Sequence, residues 1–124
     1  MTSRDDYRLH LDVRYEGLQK FDVHAIDAEV TDEWWNQSLV RVNDCVLRLG
    51  IVKGEFHWHR HDDEDEVFYV VSGTLLLDLE DESHELGPGQ GMMVPRGVLH
   101  RTRAPEKVVM LMTEGAAVDP EGVD

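Results

Sequence analysis

His57-Trp58-His59-Arg60-His61-Asp62-Asp63-Glu64-Asp65-Glu66 decides the reading of this chain. The stretch runs His-x-His, four residues, then Glu, with Gly73 six residues further on. Side chains alternate between the two faces of a strand, so His57, His59 and His61 share a face if the segment is extended. A second cluster, Gly89 to His100 with Pro95-Arg96-Gly97 inside it, supplies one more imidazole. Imidazoles on one face, joined by a carboxylate from the next strand, can surround a divalent metal. The alternative is a set of unrelated surface histidines in a polar stretch. The strand–turn setting of both clusters favours the metal.

His59-x-His61-x4-Glu66-x6-Gly73 and Gly89-x5-Pro95-x-Gly97-x2-His100 resemble the two motifs of the cupin superfamily. The chain looks like the small stand-alone cupins, including those described as mannose-6-phosphate isomerase-like. Two positions depart from the family pattern. Gly54 stands one residue closer to His59 than the first motif asks, and Ala104 replaces the Asn that often ends the second. The resemblance implies an all-β antiparallel double-stranded β-helix, or jelly-roll barrel. It also implies a metal site made of His59, His61, Glu66 and His100, and oxygenase, isomerase or lyase chemistry. The motifs cover Gly54 to Ala104, and flanking strands extend the likeness to roughly residues 38–114.

Three imidazoles and one carboxylate leave open positions on a six-coordinate ion such as Fe, Mn or Ni, and fill a tetrahedral Zn shell. Open positions allow a metal to polarise a carbonyl or activate water or oxygen. His57 shares the parity of the ligands and is the candidate catalytic residue. A fifth ligand, an acid–base group and a structural filler all remain open for it. The function expected is a metal-dependent enzyme acting on a small metabolite. A non-catalytic module that binds or senses a small ligand or metal is the alternative, because fold alone does not choose a chemistry.

The 124 residues suit one domain with a single core, and 41% hydrophobic content argues against disorder. Twenty-six acids against twelve bases give a net charge of −14. That balance disfavours nucleic acid and anionic membrane surfaces as partners, and suits a protein kept soluble by charge. No apolar run reaches the ~20 residues that span a bilayer, and Thr2-Ser3-Arg4-Asp5-Asp6 does not open a signal peptide. A soluble, cytoplasmic protein is expected. Cys45, the single cysteine, is expected to be a buried, inert thiol.

Along the chain, residues 1–37 read as an N-terminal arm with a weakly alternating strand (Tyr7, Leu9, Leu11, Val13, Tyr15) and a helical turn at Thr31 to Trp35, capped by Thr31. Residues 38–114 read as the barrel: strands at Leu39–Val42, Cys45–Val52, Phe56–His61, Glu66–Ser72, Thr74–Leu79, His84–Leu86, Gly91–Val94, Leu99–Arg103 and Lys107–Thr113. Residues 115–124 read as a mobile acidic tail. On the fourth of these barrel strands Glu66, Phe68 and Val70 face inward, leaving Val67, Tyr69 and Val71 apolar on the outside. A partner subunit is the expected cover and a homodimer the expected assembly, the arm covering its own barrel being the alternative. Asp62 to Asp65 reads as a solvated acidic loop. Arg48 and Arg60 read as ordinary ion-pair formers, and no Lys or Arg stands out on the inner face.

Overall fold

Alternating side chains and turn residues divide this chain into short strands, and the computed structural model, which describes residues 2–123, shows how they pair. A 3-10 turn at Arg4–Asp6 leads into β1 (Tyr7–His10), and α1 (Val23–Glu29) follows. The barrel strands are β2 (Trp34–Val42), β3 (Cys45–Glu55), β4 (Glu66–Ser72), β5 (Leu75–Leu79), β6 (Ser83–Leu86), β7 (Gly91–Val94) and β8 (His100–Gly115). Their order is β1-β2-β3-β8-β4-β7, with β5 paired to β6 and β8. All pairings are antiparallel except β1 with β2. The architecture is a double-stranded β-helix.

The long strand β8 holds the barrel together. Its first residues pair with β5, and its later ones lie between β3 and β4. Pro105 falls where the β3–β8 register shifts, between Ala104 and Val108, so its missing N–H removes no ladder bond. Gly73, at the β4–β5 turn, has φ +84°, and a Cβ there would stand 2.3 Å from the Lys107 carbonyl oxygen. Only glycine fits such a turn without strain.

Strand parity sorts the side chains into two cores. Trp34, Val52, Phe68, Val70, Leu75, Leu77, Val94, Met110 and Met112 fill the barrel. Trp35, Leu39, Leu49, Ile51 and Val109, the opposite faces of β2, β3 and β8, pack against α1 through Ile26 and against Tyr15, Phe21 and Val30. The N-terminal arm therefore covers its own barrel over this face. Lys107 ties β8 to the helix through Asp27 at 2.5 Å. On the outer face of β4 Val71 packs against this second core, but Val67 is 39% exposed and Tyr69 45%, and Met93 of β7, opposite Val67, is 49% exposed.

Several sequence expectations are corrected. The helix does not form at Thr31 to Trp35. It forms earlier, over Val23–Glu29, where the Asp22 carboxylate accepts from the Ala25 N–H at 3.1 Å. Trp34 and Trp35 instead open β2, each buried in a different core, which two bulky aromatics on opposite strand faces favour. Cys45 is exposed, because it begins β3 at the outer end of the β2–β3 hairpin, paired with the exposed Val42. Phe56 to His61 is no regular strand; within it only His59 and Arg60 make isolated bridges, with His100 and Val123. The two strands expected at Leu99–Arg103 and Lys107–Thr113 are one continuous β8. The loop Asp62 to Asp65 is exposed, as read.

Candidate metal centre

His59 and His61 lie on the segment between β3 and β4, Glu66 opens β4, and His100 opens β8. Backbone bonds join the two motifs. His59 and His100 exchange both N–H···O=C bonds at 2.9 Å, and the Gly97 N–H donates to the His61 carbonyl at 2.8 Å. The Arg96 N–H reaches the Asp65 carboxylate at 2.9 Å. The turn Pro95-Arg96-Gly97 thus fixes His61 and His100 relative to one another.

The four side chains are buried, and one ligand atom from each lies within 4.8 Å of every other. His61 Nε2 and His100 Nε2 stand 3.3 and 3.5 Å from Glu66 Oε1. Ligand atoms held at ~2.1 Å from one ion are separated by roughly 3.0 Å at right angles and roughly 3.4 Å at tetrahedral angles. His61 Nε2, Glu66 Oε1 and His100 Nε2 are buried without a hydrogen-bond partner. Buried polar atoms almost always have one, so these orphans fit an ion that supplies what the protein does not.

Protonation agrees. His59 Nδ1 donates to the His57 carbonyl at 3.0 Å and His100 Nδ1 to the Val98 carbonyl at 2.9 Å, leaving Nε2 of each as the lone-pair nitrogen. Burial, reinforced by His100, pulls the His59 pKa down to about 4, so the ring is neutral near pH 7. Burial alone would raise the Glu66 pKa, but His100 and His61 outweigh it and hold the carboxyl well below the usual range. A neutral His59 imidazole and an ionised Glu66 carboxylate suit a divalent ion.

The cluster opens on a small cavity bordered by His59, Glu66, Trp34, Phe56, Phe68, Met110 and Met112. Its polar lining includes Asn36, Arg48 and Glu114, and Pro120 also borders it. Arg48 is the correction to the sequence reading. It is fully buried and inward-facing, with Nη1 donating to Ser38 Oγ at 2.7 Å and Nη2 donating to Asn36 Oδ1. Its Nε stands 3.6 Å from Glu114 Oε1. Burial first, then the Glu66 charge, pushes the Glu114 pKa above the carboxylate range, and Arg48 opposes this only in part. Parity could have found both residues: Arg48 lies between Val46 and Gly50 on the inner face of β3, and Glu114 continues the series Met110, Met112.

His57 is brought beside the cluster but is not part of it. Its ring lies 5.2 Å from that of His59. Nε2–H donates to the Glu121 carbonyl at 2.7 Å, Nδ1 is 3.2 Å from Tyr7 Oη, and its backbone N–H donates to the same hydroxyl at 2.9 Å. Further along, Arg60 and Val123 exchange backbone bonds at 2.8 and 2.9 Å. The C-terminal segment therefore lies against the stretch that carries His59 and His61.

Residues 50–114, a little over half the chain, match the cupin domain family. This chain is a cupin. An uncharacterised protein, YdbB of Bacillus subtilis, is 41% identical over 91 residues, covering 73% of this chain and 80% of its own length. A cupin-2 domain protein of Shewanella frigidimarina, known from its crystal structure, superposes with a TM-score of 0.73 at 32% identity, covering 77% of this chain and 93% of its own. A shorter match, 42% over 45 residues, links 36% of this chain to 29% of polyketide synthase CurC of Streptomyces cyaneus. The cupin relatives share the fold, and its buried His–Glu cluster is a possible metal site here.

Proposed function

We propose that this cupin is a metal-dependent enzyme acting on a small metabolite inside the barrel. His59, His61, Glu66 and His100 would hold one divalent ion of the Fe, Mn, Ni or Zn type. When bound, such an ion polarises a carbonyl or activates water or oxygen. The observation that carries the reading is the set of buried, unbonded ligand atoms opening on an apolar-walled cavity. A structural site would be closed by protein on every side.

The chain's own residues would then do three things. Phe56, Phe68, Met110 and Met112 exclude water, which strengthens every electrostatic interaction within. The carbonyls of His57 and Val98 hold two ligand imidazoles in one tautomer. His57 holds the C-terminal segment against this stretch through Glu121, and in this reading it is a positioning residue. The stretch shared with a polyketide synthase is in keeping with an organic carbonyl substrate. The reaction belongs with the oxygenases, isomerases or lyases. Metal analysis of protein purified without chelators, followed by oxygen-uptake and carbonyl-substrate screens, tests it. Stoichiometric metal with no turnover in any screen would favour the alternative, a binding or sensing module.

We also propose a homodimer closed over Val67, Tyr69 and Met93, whose exposure on one sheet face supports it. Sedimentation equilibrium of Tyr69→Glu against the wild type tests this: a monomeric wild type overturns it. The working compartment would be the cytoplasm, where an exposed thiol such as Cys45 stays reduced.

A further inference from the structure

Arg48 lines the cavity, is fully buried, and is held from behind by Ser38 and Asn36. Its Nε, buried as well, makes no hydrogen bond. Glu114, the nearest carboxylate, stands too far from that nitrogen for a hydrogen bond, and Glu114 Oε2 is likewise buried and unbonded. A purely structural buried ion pair needs close geometry and satisfied donors to offset the desolvation of both charges. This pair lacks the close contact, and its Nε and Oε2 lack partners. It is an imperfect pair at the wall of a cavity, next to the cluster that includes Glu66.

We propose that Arg48, oriented by Asn36 and Ser38, binds an anionic oxygen of the substrate, which is a small carboxylate with a mainly apolar body. The proposal rests on the metal-dependent reading above and names the substrate class for the same site. Charge supports it. With a divalent ion in place, Arg48 and the metal contribute three positive charges, while Glu66 and Glu114 contribute at most two negative ones. Whether Glu114 is ionised or neutral, the lining carries net positive charge, which a monoanion reduces. Shape supports it too. Trp34, Phe56, Phe68, Met110 and Met112 form an apolar wall around the charged end and the part of the body next to it. The free core between them has room for about two or three waters, the size of a carboxylate group, so the rest of the molecule extends beyond it.

The experiment compares benzoate with its neutral analogue benzamide by calorimetry, on metal-free protein and on protein loaded with Co(II), whose visible spectrum reports the metal. The wild type is set beside the double variant Arg48→Met/Glu114→Gln, which removes both members of the pair and leaves neither without its partner. The Co(II)-loaded wild type is expected to bind benzoate at least about tenfold more tightly than benzamide. The double variant is expected to keep its Co(II) spectrum and lose that preference. Equal binding of the two probes by the wild type overturns the proposal. A preference that survives in the double variant also overturns it, because the metal alone then selects the carboxylate. If the double variant does not fold, Arg48→Lys replaces it: a preference that falls supports the assignment, and an unchanged one overturns it. A wild type that takes up no Co(II) defeats the metal reading instead. Benzoate preference in that metal-free protein, lost on changing Arg48, would still uphold the role of Arg48.

Discussion

His59 and His100 face each other across a two-residue bridge in which each backbone N–H donates to the other's carbonyl at 2.9 Å, and their rings lie 4.3 Å apart. Forty-one positions of sequence separate them, and the bridge makes them neighbours before any ion binds. The site is thus largely preorganised by backbone, and the side chains add donors to a scaffold already in place.

Removing one donor should therefore unload the metal without unfolding the barrel. His61→Ala and His100→Ala are each expected to lower metal content sharply while the far-ultraviolet circular dichroism stays that of the wild type. The bridging bonds are main-chain and survive either change. Undiminished metal in both variants would defeat the ligand assignment.

The buried Arg48–Glu114 pair gives a prediction on stability. Arg48→Met alone leaves Ser38, Asn36 and Glu114 without their buried partner, and should cost about 1–3 kcal/mol in urea unfolding. Arg48→Met/Glu114→Gln should cost clearly less, since neither member of the pair is then left without the other. Two variants of equal stability would show that the pair is not coupled.

Much of this was legible in the sequence. The four cluster residues follow from the resemblance to the two cupin motifs, and the inward set Glu66, Phe68 and Val70 and most barrel strands from alternation and the turn glycines. What sequence reasoning missed shares a cause. Arg48 and Glu114 lie on the inner parity of apolar strands, but charged residues are by default assigned to solvent, and only the three-dimensional pairing of β3 with β8 shows them facing each other. Trp34 and Trp35 follow Thr31-Asp32-Glu33, a pattern that mimics a capped helix. Tertiary burial on two faces overrides that local signal. The position of Pro120 and Glu121 beside the site has no local signal at all, because it is set by long-range contacts to His57 and Arg60.

Acid stability should depend on Asp78. Its carboxylate accepts from Arg103 Nε at 2.5 Å, Arg101 Nε at 2.8 Å and Ser83 Oγ at 2.5 Å. Arg103 is the largest influence, and with Ser83 and Arg101 it outweighs burial and holds the pKa well below the usual range. A carboxyl depressed in the folded state contributes stability that is present above its unfolded pKa of about 3.9 and lost as pH falls toward the folded value. Wild-type unfolding midpoints should accordingly drop from about pH 5 downward. Asp78→Asn should be less stable at neutral pH and show a shallower slope over the acid range. Parallel slopes for the two proteins would remove Asp78 from this role.

The role of His57 is tested by what it holds. Its Nε2–H bonds the Glu121 carbonyl, its Nδ1 lies near Tyr7 Oη, and it stands outside the four-residue cluster. His57→Ala should therefore keep its metal, unlike His61→Ala. The bridge between Arg60 and Val123 lies just beyond the lost bond, so those two amides should exchange with solvent roughly fivefold faster, as expected for the loss of one hydrogen bond. His57→Gln, whose side-chain amide can still donate to the Glu121 carbonyl, should restore part of the protection. If the protein is an enzyme, turnover in His57→Ala should fall, and the glutamine should recover it in step with the exchange rates. A general acid or base would behave differently: glutamine cannot shuttle protons, so exchange would recover while turnover stayed low. Loss of metal comparable to that of His61→Ala would instead make His57 a ligand and end the positioning role.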